Sequence, residues 1–444
     1  MLEDKPLKAI SIFVFPIILG SILQNMYGMA DTAIVGKFIG DSALAAVGAT
    51  SLTFSVMISL SQGFMSGFSI IAGQKVGASD YEGLRKVYLN GFILVVILSV
   101  ICTTFLTVFT DQLLVFMKTP PELMSEAKKY IRVIYFGTPA TLLYNFFCEI
   151  LRAIGNSKKP FYYLLIASAL NIVLDLFFVC VLHTGVMGAA LATVISQAVS
   201  AILCLINLNR SSWYFRLNLN DLKIDKDVIM QCARLGIPTA TLNGVIQIGI
   251  ITLQIFTNKF GVEYIAATSA SARLAGFYNT PIWCYGTGLS VFVAQNFGAR
   301  KYDRIKKALW SVMFLLCAYS TVMFGFSLLF SKHIIKLFIS DTPLVAQWGS
   351  IVLNVSFTGH YALIFIVLTK CVLNALGRPL MSTLQGFVDV ALRVGIVYFG
   401  TRYFGFWGIA FGDNGTWLLG AVVFVFMLIY ENRKIKKEHG FGIF

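Results

Sequence analysis

The sequence predicts an all-α polytopic membrane protein with twelve transmembrane helices in two parallel six-helix lobes. Of the 444 residues, 57% are hydrophobic and only 13% are charged, which is about half the charged share of an average soluble domain. Continuous apolar runs, each close to or above the ~20 residues that a spanning helix needs, recur along the chain. The second half also repeats the first, with six spans in each copy. Because six is even, both lobes have the same orientation in the membrane.

The predicted spans follow one another with short polar connections. They cover approximately residues 10–36, 44–72, 88–109, 131–151, 161–182, 186–208, 233–257, 265–294, 308–330, 345–373, 381–400 and 405–430. Their apolar residues are continuous and do not alternate, which favours helices over a β-barrel. The predicted domains are an N-terminal lobe (1–208), a cytoplasmic linker (209–231), a C-terminal lobe (232–430) and a basic cytoplasmic tail (431–444).

The distribution of basic residues predicts the orientation. With the N-terminus inside, the inner segments hold 23 Lys and Arg residues and the outer loops hold 8. Both termini of this multi-pass protein are therefore expected in the cytoplasm, and its expected location is a cell membrane of the bacterial inner or plasma membrane type. The net charge of +14 does not indicate nucleic-acid binding, because the basic residues lie in short loops and form no stripe on a soluble domain.

An internal repeat covers both lobes. The segment GQKVGASDYEGLRK at 73–86 recurs as AQNFGARKYDRIKK at 294–307. Pro16 and Pro238 match at nearly the same offset along the chain. The chain therefore consists of two copies of one scaffold, and a cavity is expected between the two lobes near the middle of the membrane.

Two acids within apolar spans are the main functional candidates. A charged group inside a membrane span costs several kcal/mol, so such a group usually has either a function or a bonding partner. Asp31 aligns with Leu253 in the second copy, and Asp175 aligns with Val394 or Val397, depending on the placement of a gap. The scaffold therefore does not need these acids for packing, which favours a functional role.

Polar residues share helix faces with both acids. Asn171 precedes Asp175 by four residues, and Gln24 and Tyr27 precede Asp31 by seven and four. At 1.5 Å per residue, the two acids lie about 9 and about 12 Å below the outer ends of their spans. We therefore predict one layer in the N-terminal lobe in which Asp31, Asp175 and Asn171 couple an ion.

The other intramembrane charges favour local structural roles. Glu149 lies three residues before Arg152, and Asp389 lies four residues before Arg393, so each pair is expected to form an ion pair on one helix. Glu149, Arg273, Asp389 and Arg393 are nevertheless kept as secondary site candidates. The remaining three residues are expected to reach an interface or to be bonded in the core: Lys370, Arg273 and His360.

These motifs together resemble the multidrug and toxic compound extrusion (MATE) family. The resemblance rests on QNMYGMADTAIVGKFIGDSALAAVG, LRAIGNSKKP, LNIVLD and the GQKVGA/AQNFGA pair, and it extends over essentially the whole chain. It implies an outward-directed antiporter for organic, often cationic compounds, driven by protons or sodium. The family's acids fall on Asp31 and Asp175, and its helix bend falls on Pro16. Its polar neighbours fall on Gln24, Asn171 and Thr193.

The resemblance completes the predicted site. Gln24, Tyr27, Thr193 and Asn145 are the candidate cavity residues. Glu149 departs from the family pattern, in which a small residue is expected. If sodium is the coupling ion, its oxygen ligands would come from Asp31, Asp175, Asn171 and Thr193, because a hard cation prefers several oxygen ligands.

The resulting hypothesis is a secondary antiporter that exports small organic cations. No cofactor, nucleic acid or obligatory protein partner is expected, and the lipid bilayer is its surroundings. The alternative is a flippase for a lipid or a lipid-linked oligosaccharide, which would use a more basic cavity formed by Arg273, Lys370 and Arg393. An intramembrane enzyme is disfavoured because the sequence contains no HExxH or Ser/Lys constellation, and ATP hydrolysis is disfavoured because it lacks GxxxxGK[ST].

Overall fold

The computed structural model describes residues 1–117, 119–218, 221, 223–338 and 343–443, and these residues form sixteen α-helices. The helices are α1 (Pro6–Phe38), α2 (Asp41–Gly77), α3 (Tyr81–Val108), α4 (Thr110–Phe116), α5 (Pro121–Phe136), α6 (Thr138–Ala153), α7 (Lys158–Asp175), α8 (Val186–Ser211), α9 (Lys226–Thr257), α10 (Val262–Gly298), α11 (Tyr302–Phe338), α12 (Pro343–Thr358), α13 (His360–Ala375), α14 (Pro379–Phe404), α15 (Trp407–Ala410) and α16 (Gly412–His439). A π-helical turn (Leu176–Val181) directly extends α7.

These helices account for all twelve predicted spans, and the all-α membrane fold is confirmed. In the described part of the chain, nine helices are individually long and apolar enough to cross a membrane, and α12 with α13 makes a tenth span bent by 52°. The remaining two spans are α10 and the pair α5 and α6. The helices α5 and α6 have only 16 residues each, and α5 begins with the charged segment PELMSEAKK. The helix α10 contains many polar and small residues within its apolar run.

The fourth and tenth spans are each broken at a glycine, a feature that the sequence did not predict. Gly137 separates α5 from α6, and Gly359 separates α12 from α13 at the equivalent position of the second copy. At Gly137, a Cβ atom would lie 2.2 Å from Val194 Cγ2, and at Gly359 it would lie 2.4 Å from Asn414 Oδ1. Each glycine therefore allows the sixth span of its own repeat to approach closely.

The backbone reproduces the internal repeat. Pairs of residues with positive φ recur at nearly constant offsets: Gly40 with Gly261, Ser79 with Arg300, Gly155 with Gly377, and Gly185 with Gly405. The φ angles within each pair are similar, at 119° and 101°, 56° and 57°, 87° and 84°, and 63° and 59°. The two copies therefore share their loop geometry as well as their order of helices.

The helices form two compact units. The N-unit is Phe15–Ala240, and the C-unit is Met1–Val14 together with Thr241–Phe444. The boundaries lie inside α1 and α9, close to Pro16 and Pro238, whereas the predicted linker at 209–231 lies within the N-unit. Each unit thus contains the first part of a helix whose remainder belongs to the other unit. A proline inside a helix removes one backbone hydrogen bond, so both boundaries fall where the helix is weakest.

In the N-unit, the first part of α9 packs against α2 through small residues. A Cβ atom on Gly67 would lie 2.4 Å from the Cys232 carbonyl oxygen, and one on Gly63 would lie 2.5 Å from Ala240 Cα. Gly63 and Gly67 form a GxxxG motif, which allows two helix backbones to approach each other in a membrane. The start of α9 is also anchored by Asn90, whose side-chain oxygen accepts a hydrogen bond from the Asp225 N–H at 2.8 Å.

In the C-unit, the first residues of the chain are held by Arg304. Its guanidinium donates hydrogen bonds to the carbonyl oxygens of Met1 (3.2 Å) and Asp4 (2.5 Å). Further along, a Cβ atom on Gly288 of α10 would lie 2.3 Å from Val14 Cγ2, so the start of α1 fits tightly against α10. The C-terminal tail is not separate either, because α16 continues to His439 and its Glu431 pairs with Arg378 at 2.7 Å.

Candidate functional site

The three predicted ion-coupling residues of the N-unit present buried polar atoms that lack partners. Asp175 is fully buried (0% exposed), Asn171 is 1% exposed, and Asp31 is half-buried. Five buried atoms of these residues have no hydrogen-bond partner among the described residues. They are both carboxylate oxygens of Asp175, both polar amide atoms of Asn171 and Oδ1 of Asp31. Buried polar groups are almost always bonded, so a cluster of unpaired ones indicates a place for a ligand, an ion, a proton or water.

Two tyrosines lie near the acids. Tyr27 Oη donates a hydrogen bond to Thr193 Oγ1 at 3.4 Å, which joins α1 to α8. Tyr27 lies close enough to Asp31 and Asp175 to interact with both electrostatically, and so does Tyr130 of α5. Tyr130 was not among the residues predicted from the sequence, because it precedes the apolar core of the fourth span. Tyr130 precedes the apolar residue at 134 by four positions, and this spacing places both on one face of α5. That pattern was the signal in the sequence that could have identified it.

The end of α7 positions Asp175. It is the last α-helical residue before the π-helical turn at Leu176–Val181, whereas the equivalent α14 remains an α-helix from Pro379 to Phe404. π-helical turns change the direction of side chains within a helix and are frequent at functional sites. This distortion is therefore specific to the copy of the repeat that carries the acids.

The electrostatics of the group favour a cation. Asp31 and Asp175 interact unfavourably with each other when both are charged, and no basic residue is hydrogen-bonded to the buried oxygens of either acid in the described part of the chain. Burying an unpaired charge costs several kcal/mol, so each acid needs a proton or a cation. The donor set suits sodium, since all candidate ligands are oxygens. Among the described residues, no group of three His, Cys, Asp or Glu side chains forms a metal centre.

The other N-unit candidates lie in different surroundings. Gln24 is exposed on α1, and Asn145 is half-buried on α6. Pro16 lies inside α1, two residues after the boundary between the units. Glu149 accepts a hydrogen bond from Arg152 Nη1 at 2.8 Å, as its spacing predicted. This ion pair gives Glu149 a local basic partner, which Asp31 and Asp175 lack within the described part of the chain.

The C-unit charges form a cluster around Arg393. Arg393 Nη2 lies 3.3 Å from Asp389 Oδ2, as predicted, and Nη1 also donates a hydrogen bond to Asp413, which the sequence analysis had not considered. Lys370 of α13 is near enough to Asp389 for an electrostatic attraction. The remaining two candidates are separate from this cluster, since Arg273 is exposed on α10 and His360 is buried 3.4 Å from Ser320 Oγ.

The family comparison reproduces the repeat. The model of the MatE family matches residues 16–177 and 238–399. The two matched segments therefore begin at Pro16 and Pro238 and have equal lengths. Together they cover most of the chain, and they contain Asp31, Asp175 and their aligned positions in the second copy.

Individual relatives agree with this assignment. The chain is 28% identical over 341 residues to the "Probable multidrug resistance protein YoeA" of Bacillus subtilis, covering 75% of this chain and 74% of that protein. It is 24% identical over 412 residues to the "Multidrug export protein MepA" of Staphylococcus haemolyticus, covering 92% and 90%. A solved structure described as "MATE in the bent conformation" shares the fold, with a TM-score of 0.92, 24% identity and coverage of 99% and 98%. The chain therefore belongs to the multidrug and toxic compound extrusion family, MatE.

Proposed function

We propose that this protein is a secondary antiporter that exports small organic cations in exchange for protons or sodium. The observation that carries the proposal is the pair of acids with buried oxygens, Asp31 and Asp175, which have no basic partner in the described part of the N-unit. The names of the relatives, a probable multidrug resistance protein and a multidrug export protein, support small organic substrates.

The proposed coupling follows from competition for the same carboxylates. A cationic substrate and a proton or sodium ion each neutralise Asp31 and Asp175, and both cannot do so fully at one time. Binding of the coupling ion from outside therefore weakens the hold on the substrate and releases it. The site then returns toward the cytoplasm with the ion, where the ion leaves and the next substrate binds.

The hydroxyl and amide groups around the acids have a supporting role in this cycle. Tyr27, held by Thr193 at 3.4 Å, and Tyr130 offer aromatic faces for an organic cation. The Asn171 amide can donate a hydrogen bond to a carboxylate or offer its oxygen to sodium. The group can thus accept ligands of different shape through one shared feature, positive charge.

The flippase alternative receives less support from the described residues. Of the three basic residues that would bind a phosphate headgroup, Arg393 is paired with two aspartates and Lys370 is attracted to Asp389. Neither of these two cations is available to an anionic headgroup without breaking these interactions. Only Arg273 remains exposed without such a neighbour among the described residues.

Transport by purified protein in lipid vesicles tests the proposal. We expect a fluorescent organic cation to move against its concentration gradient when a proton or sodium gradient of opposite direction is imposed, and to stop when an ionophore dissipates that gradient. Movement that ignores both gradients, or gradient-independent transfer of a fluorescent phospholipid between leaflets instead, would contradict the antiporter proposal.

A further inference from the structure

The two copies of the repeat permit a direct comparison of the acid site with its counterpart. The matched family segments and the glycine pair Gly155 and Gly377 give an offset of 222 through α1 and α7, and the pair Gly185 and Gly405 gives 220 at the next helix. With these offsets, the N-unit site residues have C-unit counterparts as follows: Tyr27 with Gly249, Asn171 with Arg393, Asp175 with Val397, and Thr193 with Asp413.

The C-unit therefore has different residues at the positions of the N-unit site. Arg393, the counterpart of Asn171, lies between Asp389 and Asp413 and is bonded to both. Its side chain is only 8% exposed. The side chain of Asp413 is 36% exposed, so the ion-pair cluster can be reached at Asp413. Among the described residues, no basic side chain is bonded to the buried oxygens of the two N-unit acids, whereas both C-unit acids are bonded to Arg393.

Gly249 provides the space for this arrangement. A Cβ atom at Gly249 would lie 3.2 Å from Arg393 Cδ and 3.3 Å from its Nε atom. The N-unit has the large side chain of Tyr27 at the same position. The aliphatic part of the Arg393 side chain therefore packs against α9 at Gly249, the position at which α1 of the N-unit carries Tyr27.

We propose that Asp389 and Asp413 form a second site for a monovalent cation, which the guanidinium of Arg393 permanently fills. The charges around it support a single positive ligand. The two aspartates contribute two negative charges, Lys370 of α13 interacts electrostatically with Asp389 and adds one positive charge, and Arg393 brings the sum to zero. Without the guanidinium, one negative charge remains uncompensated. In the part of the chain that the structure describes, the N-unit acids therefore form an open cation site, whereas Asp389 and Asp413 form a closed one that substitution of Arg393 opens.

Chemical rescue tests this proposal. The probe is guanidinium chloride at low millimolar concentration, far below the molar range in which it denatures proteins. We expect thermal unfolding of purified Arg393→Ala protein to shift to higher temperature as guanidinium is added, because a ligand that binds only the folded state stabilises it by mass action. The parent protein and Arg393→Lys, which keeps a tethered cation, should show no shift.

All proteins carry Asp31→Asn and Asp175→Asn, so that cation binding in the N-unit cannot contribute and the two proposals can fail separately. If Arg393→Ala does not fold, Arg393→Gln, which keeps hydrogen-bonding capacity without charge, takes its place. Adding Asp413→Asn should abolish the shift. An unresponsive Arg393→Ala or Arg393→Gln protein, or equal shifts in the parent and in Arg393→Lys, would overturn the proposal.

Discussion

Replacing either Asp31 or Asp175 by asparagine is expected to reduce gradient-driven export of an organic cation to about one hundredth of the parental rate or less. The substitution preserves the shape of the side chain and removes its charge. The substitution removes the interaction of the charged carboxylate with its ligand, and a hydrogen bond to a charged group contributes about 1.5–3 kcal/mol. A loss of about 2.7 kcal/mol corresponds to a hundredfold change in an equilibrium or rate constant. Because the buried oxygens of both carboxylates have no hydrogen-bond partners among the described residues, the variants should also fold at least as stably as the parent protein.

The measurement is efflux from vesicles that contain each purified variant, beside its thermal unfolding temperature. Asp111→Asn is the matched control. Asp111 belongs to the same unit, but it is exposed outside the predicted spans, where a hydrogen bond from Lys128 holds the pKa of its carboxyl below the usual range. This control should export at the parental rate. If Asp31→Asn and Asp175→Asn also do so, the N-unit acids do not couple transport.

Replacing Gly67 by leucine is expected to abolish folded protein. The helix backbones of α2 and α9 touch at this residue, since a Cβ atom would lie 2.4 Å from the Cys232 carbonyl oxygen and 2.6 Å from the Gly236 nitrogen. Backbone atoms cannot rotate away as a flexible side chain can. Overpacking of a protein core costs about 1–3 kcal/mol or more for a few added carbons, and here four carbons must displace a helix.

Yield of monodisperse protein after detergent extraction measures this effect. Gly325→Leu, on α11, is the matched control, because a Cβ atom there would have no neighbour within 4 Å. It should be produced like the parent protein. Normal yield and unfolding temperature for Gly67→Leu would show that the first part of α9 does not need its close contact with α2.

Much of the site could be predicted because its signals are local in sequence. An acid in an apolar span is conspicuous, and the four-residue spacing of Asn171 and Asp175 fixes their common face on α7. The repeat also showed that Asp31 aligns with an apolar residue, Leu253, in the second copy. The ion pairs of Glu149 and Asp389 were also predictable, since their partners lie on the same helix.

Other features depend on contacts between distant segments. The apolar run continues through Gly137 and Gly359, so composition could not reveal the breaks there. Asp413 lies in GFWGIAFGDNGTW, which gives no indication of its contact with Arg393 on the preceding long helix. Likewise, the sequence of residues 6–14 or 226–240 does not indicate which unit each segment packs against, because each segment continues into the rest of its helix. Packing against other helices decides these features.

The most direct test of the central claim is competition between an organic cation and the coupling ion for the N-unit acids. Binding of a fluorescent organic cation to the purified protein is measured by anisotropy over a range of pH values and sodium concentrations. We predict that its affinity falls as protons or sodium ions are added, and that this dependence disappears in the Asp31→Asn/Asp175→Asn double variant. An affinity that neither ion changes, or an equal dependence in the double variant, would contradict the account.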